Sequence, residues 1–345
     1  MKVFVILASF CIVGSCATTK YSTKIENLKN DIKLQDSSLV VKYANTITVK
    51  DLKANLYGFT SEDFEGRKTG ANGQKLAAEF LKDYYIKHNL KSPLNDTLYY
   101  QHIPADKLPE GIGDTENVLA YIKGSESPDE VLIISGHYDH LGVEGDEIFH
   151  GADDNGSGTS AIMEMAQAFK MAEQAGHRPK RSILFLHLTA EEIGLHGSRY
   201  YTNNPVFDLN KTFANLNIDM IGRVDRRHEE NNDYIYLIGA DRISKELHYI
   251  SEKVNNQYFN MELDYTYNEE NDRNRYYYRS DHYNFAQHNI PVIFYFNGEH
   301  EDYHKITDTP DKINFSLLER RTKLIFATAW HLAYNEESLI YNVDF

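Results

Sequence analysis

Cysteine is almost missing from this chain: two in 345 residues, Cys11 and Cys16. With none beyond Cys16, the folded part has no disulfide framework. Basic charge is short as well. Lys and Arg number 36 against 51 Asp and Glu, a formal net charge of −15. Phosphate backbones are held by Lys and Arg clusters, so nucleic acid is excluded as a partner, and the acidity serves solubility. Beyond the N-terminus no run is long and apolar enough to span a bilayer. There is no Gly-x-Ser-x-Gly elbow, which argues against a serine hydrolase. No internal repeat is visible.

What remains is an ordinary globular composition. Hydrophobic residues make up 41%, and the length suits one large α/β domain. At the N-terminus, Met1-Lys2 precedes an apolar run from Val3 to Val13 that is too short for a membrane span. It predicts a secretory signal peptide over 1–15. Val13-Gly14-Ser15-Cys16 resembles the lipobox of bacterial lipoproteins, with Val13 where Leu is usual. The expectation is an exported lipoprotein of the cell envelope, on its periplasmic or surface face. Its membrane attachment is a lipid on Cys16, stable when more than one acyl chain is carried.

Residues 16–49 read as a polar tether with at most one helix, and 50–345 as one domain. Buried strands are predicted at 118–122, 131–135, 182–188, 213–218, 234–238 and 292–296. Helices are predicted at 50–57, 72–88, 157–175, 195–202, 242–257, 281–288 and 316–335, from apolar spacing. Strands alternating with helices imply a three-layer α/β sandwich around a mixed, mostly parallel sheet. The stretch between Leu90 and Asn117 is too short for an inserted domain. Residues 264–279 form a charged, aromatic-rich loop whose Arg273, Arg275 and Arg279 are expected to attract acidic peptide groups.

In open α/β sheets, sites form beyond the carboxyl ends of strands. His137 and Asp139 follow the strand at 131–135, Glu191 and Glu192 follow 182–188, and Asp219 follows 213–218. A lone His-x-Asp or Glu-Glu means little; three apolar strands delivering such residues to one edge mean more. Asp153 and Asp154 open a helix beside Gly156 and Gly158. Acidic residues there serve as helix caps, but two adjacent carboxylates with glycines also suit a metal-bridging group that needs close backbone approach. Two imidazoles and several carboxylates are the donors for a pair of zinc ions and a general base. Of the other histidines, His140 and His150 lie close to the first motif and read as surface residues ahead of a supporting role at the site; His187 reads as core, His196 as variable and His300 as a weak candidate.

As a set these residues resemble the di-zinc aminopeptidase family of secreted bacterial leucyl-type enzymes. The likeness rests on His137-Tyr138-Asp139, Gly151-Ala152-Asp153-Asp154-Asn155-Gly156-Ser157-Gly158, Ala190-Glu191-Glu192-Ile193-Gly194, Asn217-Ile218-Asp219-Met220, Ser280-Asp281-His282 and Tyr303-His304, in that order, from about residue 50 onward. The resemblance implies a zinc-dependent exopeptidase fold acting on peptides with two Zn2+ ions. His137 and Asp219 would hold one ion, and Glu192 and His304 the other. Asp154 would bridge them, ahead of Asp153. It further implies Glu191 as general base, Asp139 as the carboxylate that orients His137, and Tyr303 as a donor to the oxyanion. A one-zinc glutaminyl cyclase and a non-catalytic surface binding protein are the rival readings.

Overall fold

A computed structural model describes residues 20–34, 36–95 and 97–344. The expected leader and Cys16 lie outside them. Nine α-helices are described: α1 (Tyr21–Asp31), α2 (Ser37–Ala44), α3 (Val49–Phe59), α4 (Asn72–Lys87), α5 (Gly158–Gln174), α6 (His196–Asn203), α7 (Lys245–Tyr258), α8 (His282–Ala286) and α9 (Phe315–Tyr334). The strands are β1 (Tyr100–Ile103), β2 (Thr115–Ile122), β3 (Ser127–His137), β4 (Gly142–Glu144), β5 (Glu147–Phe149), β6 (Arg181–Leu188), β7 (Thr212–Ile218), β8 (Tyr234–Ile238), β9 (Glu262–Asp264) and β10 (Val292–Phe296).

Eight strands form one mixed sheet in the order β1-β2-β6-β3-β7-β10-β8-β9, and β4 with β5 make a separate hairpin. The central four, β6-β3-β7-β10, run parallel; the joints of β2 to β6 and of β8 to β10 are antiparallel. Side chains alternate between faces along a strand. In β3, Leu132 and Ile134 enter one core and Val131 and Ile133 the other; in β6, Ile183 and Phe185 part from Leu184 and Leu186 in the same way. Helices α2, α3, α5, α7 and α9 stack on the first face, and α6 and α8 cover the second. Among the described residues no helix is long and apolar enough to cross a membrane.

The expected tether is where the structure departs most from the sequence reading. Residues 21–44 carry two helices, not one at most, and α2 belongs to the core. Asp36 caps it by accepting from the Ser38 amide (2.9 Å), while Tyr43 stacks on Trp330 at 5.6 Å. Its apolar residues span only two turns, too few for a helical period to stand out. The short edge strands β1 and β9 also escape notice, because three or four residues carry no readable alternation.

One buried carboxyl gives a pH-dependent prediction. Glu164, on α5, accepts from Asn55 Nδ2 (2.7 Å) and lies by the Tyr84 hydroxyl (3.3 Å). Burial, then Asp51, pushes its pKa up to about 7. A folded-state value above the unfolded one stabilises the protein fully below pH ~4.5, and that gain is lost as pH rises through ~7. Glu164→Gln should therefore be more favourable at pH 8 than at pH 4.5 by about 3 kcal/mol. Urea titrations of both proteins at the two pH values check this; a pH-independent difference would refute it.

Candidate active site

Register explains why the acidic and histidine residues meet. His137 pairs with Leu188 across β3 and β6, Ser135 with Asn217 across β3 and β7, and Ile218 with Tyr295 across β7 and β10. The carboxyl ends of the parallel strands are level, so the loop leaving each strand converges on one edge. Left-handed backbone at three non-glycine residues completes the aim: Ala190 before Glu191, Met220 after Asp219, and His304 itself. Such residues cost of order 1–3 kcal/mol each and persist where surrounding structure imposes them.

Asp154 stands at the centre. Its Oδ1 lies 3.2 Å from His137 Nε2 and its Oδ2 3.1 Å from His304 Nε2. His137 Nε2 is also 3.3 Å from Asp219 Oδ1, and His304 Nε2 is 3.1 Å from Glu192 Oε2. Burial pushes the Asp154 carboxyl up, but the two imidazoles outweigh it and hold the group well below the usual range. Asp153 faces elsewhere: Oδ1 accepts from the Gly222 amide (2.7 Å) and Oδ2 meets His300 Nε2 (3.2 Å). Asp153, which the resemblance ranks behind Asp154, thus stands apart from His137 and His304.

The turn carrying Asp154 is tightly stitched. Asn155 Nδ2 donates to the Ile218 carbonyl (2.8 Å), and its Oδ1 accepts from the amides of Gly158 (3.0 Å) and Met220 (3.1 Å). A Cβ on Gly158 would stand 2.5 Å from the Ile218 carbonyl oxygen, so this glycine is required by close approach. Asp308 accepts from the amides of Asp153 (3.0 Å) and Asp154 (3.1 Å). Arg67, 1% exposed, donates to the carbonyls of Tyr138 (2.9 Å), His150 (2.8 Å) and Gly151 (3.0 Å). It fastens the loop after β3 to the loop before α5.

Two residues differ from expectation, and a third gains a role. The carboxylate of Asp139 does not stand behind His137. The Asp139 backbone carbonyl lies 3.1 Å from His137 Nδ1, with the carboxylate at 3.8 Å. That carboxylate accepts from Thr69 Oγ1 (2.6 Å) and the Glu191 amide (3.2 Å), placing the turn after β6. His140 is not a surface residue: it is buried, and Nδ1 lies 2.7 Å from Glu192 Oε1. Glu192 thus has an imidazole at each oxygen, His140 inside and His304 outside. Ser280, whose role the sequence left open, accepts from Asn217 Nδ2 (2.8 Å) and donates to Asp219 Oδ2 (2.7 Å), orienting that carboxylate. The core reading of His187 fits its burial and its 2.5 Å contact with the Tyr85 hydroxyl.

Glu191 lines a small cavity with His137, Asp154, Asp219, Tyr303 and His304; Met220, Tyr276, Phe294 and Phe296 supply its apolar walls. Burial first, then the charges of Glu192, Asp219 and Asp281, raise the Glu191 carboxyl well above its ordinary range against the pull of His137. Asp281 is buried too, and burial lifts it to about 7. Tyr303 stacks on His304 at 3.9 Å. Burial, then Asp154 and Glu192, raise its phenol, which stays a proton donor. Of the three loop arginines, Arg279 reaches the cavity, where it pairs with Glu299 at 3.1 Å; Arg275 lies on the Tyr278 ring instead.

The donor set fits divalent metal. The carboxylates of Asp154, Glu192 and Asp219 are packed against the imidazoles of His137, His140 and His304. His137, Asp154 and Asp219 form one compact group of donors, and His140, Asp154 and Glu192 another. Ligand atoms about 2.0–2.2 Å from a tetrahedral metal such as zinc stand about 3.3–3.6 Å apart. The separations of 3.1 to 3.3 Å around Asp154 are near that spacing.

The sequence profile of peptidase family M28 matches residues 117–329. The chain belongs to peptidase family M28. The matched span holds all the carboxylates and histidines placed around Asp154. The chain is 32% identical over 170 residues to a protein of Pyrenophora teres f. teres named a probable zinc metalloprotease, covering 47% of this chain and 33% of that one. It spans no more than about a third of the first curated relatives it matches. Among solved structures, the Legionella pneumophila LapA aminopeptidase is similar in fold, with TM-score 0.68, 21% identity, and 88% of this chain and 77% of that chain covered. Glutaminyl cyclase from Porphyromonas gingivalis shares the fold at TM-score 0.65 and 16% identity, over 82% of this chain and 98% of that one. At these identities the two structures speak for the M28 fold and not for either activity.

Proposed function

We propose that this M28 protein is a zinc-dependent exopeptidase, most specifically an aminopeptidase that releases the N-terminal residue of peptides, and that it holds two zinc ions. The observation that carries the reading is the Asp154 carboxylate set between His137 and His304, each ring also facing its own carboxylate, Asp219 or Glu192. His137, Asp219 and Asp154 would hold one ion, and Glu192, His304 and Asp154 the other. Bound there, zinc supplies Lewis acidity toward the scissile carbonyl and a water acidified toward neutral pH.

The chain's own groups do the rest. Glu191 takes the proton of the attacking water and passes it to the leaving amine, so that one water is consumed and one peptide bond broken. The Tyr303 phenol, kept protonated by its surroundings, donates a hydrogen bond to the carbonyl oxygen as charge develops. His140 holds Glu192, and Ser280 holds Asp219, in the orientations the donors need. Met220, Phe294, Phe296 and Tyr276 offer an apolar seat for the N-terminal side chain.

A panel of short peptides, free and N-acetylated, with and without chelator, tests this. Free peptides should shorten from the N-terminus, acetylated ones should stay intact, and chelation should abolish turnover until zinc is restored. Ammonia release from an N-terminal Gln peptide without chain cleavage would make the protein a cyclase; peptide binding without turnover would make it a binding protein.

We also propose an exported lipoprotein anchored through Cys16, supported by the pattern Val13-Gly14-Ser15-Cys16. Membrane fractionation with labelled palmitate should find the protein lipidated, and Cys16→Ala unlabelled. A labelled Cys16→Ala protein would reject the anchor.

A further inference from the structure

A second cluster of metal-ligand type lies away from Asp154, on the turn after β7 and the edge strand β9. His228 is 5% exposed. Its ring stacks flat on Tyr234, centroids 3.5 Å apart. Nδ1 lies 2.8 Å from Asp225 Oδ1, and the other Asp225 oxygen accepts from the Tyr236 hydroxyl at 2.7 Å. The Asp225 carboxylate at Nδ1 orients the ring, as the outer partner of a metal-bound histidine does, and turns Nε2 toward the cluster. Nε2 points at Asp264 Oδ2, 3.3 Å away, and Glu262 Oε1, 4.0 Å away. Asn231 Nδ2 donates to the far Glu262 oxygen (2.7 Å), leaving Oε1 for the cluster.

One imidazole nitrogen and two carboxylate oxygens converging on one point make a donor set of the kind that holds a divalent cation. Among the described residues no lysine or arginine forms an ion pair with Asp264 or Glu262; Arg227, on the same turn, reaches Thr266 Oγ1 (3.4 Å) and overlies Tyr267. The three donor atoms lie within 4.8 Å of one another. The Nε2–Oδ2 distance is that of neighbouring ligands on a tetrahedral zinc, about 3.3–3.6 Å. Glu262, with its side chain 49% exposed, is free to close the wider gap and leaves the remaining position to water.

We propose that His228, Asp264 and Glu262 form a further divalent-cation site of zinc type, separate from the Asp154 centre, with Asp225 as the carboxylate that orients the histidine ligand. The ion clamps β9 to the turn at 225–228. From there Tyr236, Tyr267 and Tyr276 pack in sequence, at 4.4 and 4.6 Å, and Tyr276 walls the catalytic cavity. The clamp therefore steadies the loop that shapes the substrate seat, without a ligand shared with the reacting centre.

The test is metal content. The full chain and the isosteric double variant Glu262→Gln/Asp264→Asn are dialysed against buffered free zinc, and bound metal per chain is measured by mass spectrometry. The variant should bind one zinc equivalent fewer than wild type and keep its peptidase rate within about threefold. Equal metal content overturns the site and leaves a protonated His228 ion-paired with its neighbours. Because the readout is a difference between two proteins, it stands whatever number of ions the Asp154 centre holds. Should the double variant fail to fold, Glu262→Gln alone, at the exposed ligand, should weaken one zinc equivalent at least tenfold; an unchanged titration again rejects the site.

Discussion

Glu191→Gln should lower kcat by about 10²–10⁴-fold while bound zinc and folding are unchanged, the range by which a positioned general base accelerates proton transfer. The geometry separates this residue from its neighbour. Glu192 lies between two imidazoles, at 2.7 Å from His140 and 3.1 Å from His304. Glu191 is turned to the cavity instead, its backbone amide pinned by Asp139 Oδ1 at 3.2 Å. Glutamine keeps the shape and removes one negative charge from a cluster that already holds Glu192, Asp219 and Asp281, so stability should hold or rise. Single-turnover rates and metal content, measured on the same preparations, decide the matter. A variant that keeps more than a tenth of the wild-type rate would remove Glu191 from the mechanism.

The sequence made one part of this molecule legible and hid another, for physical reasons. Central parallel strands are buried on both faces, so they read as apolar runs, and the residues just past each run must lie at the carboxyl edge of the sheet. That logic reaches His137, Glu191, Glu192 and Asp219 without coordinates. It does not reach Arg67, which sits in a polar loop and whose three partners are backbone carbonyls 71 to 84 residues away. His140 is hidden for a related reason. Its surroundings in sequence are turn-like and polar, and its burial comes from that distant clamp, with its own amide bonded to the Arg67 carbonyl at 3.1 Å. Asp139 shows a subtler limit. A His-x-Asp pair suggests a carboxylate behind an imidazole, but here the backbone carbonyl takes that place and frees the carboxylate to position the turn of Glu191. Residue type announces which groups are available; only the turn geometry settles which atom is used. The Asp225–His228 pair, three residues apart on an irregular turn, carries no periodic signal at all.

Asp154→Asn should be the most damaging single change at the centre, costing at least about 10³-fold in turnover together with bound metal. Removing a charge-bearing ligand from a metal site loses both affinity and the chemistry it supports. Each Asp154 oxygen faces a different imidazole, His137 at 3.2 Å and His304 at 3.1 Å. An amide can present an acceptor to one side only, and its NH2 group would confront the other ring's donor position or the metal itself. Stability gives a second readout. A ligand that binds the folded chain alone stabilises it by RT ln(1 + [L]/Kd), about 4 kcal/mol at a thousandfold excess over Kd, which for a domain of this size is a shift of roughly 5–10 °C in Tm. Chelation should therefore lower the wild-type Tm by that amount, and the Asn variant should start near the chelated value and respond weakly. The sign of a contrast follows from the ion pairs: in chelated protein the substitution should destabilise near neutral pH, because the Asp154 carboxyl, held well below its usual range by His137 and His304, loses both partners. An Asn variant that retains wild-type metal content and a rate within tenfold would show that the two sides of the centre do not share Asp154, whatever the distances imply.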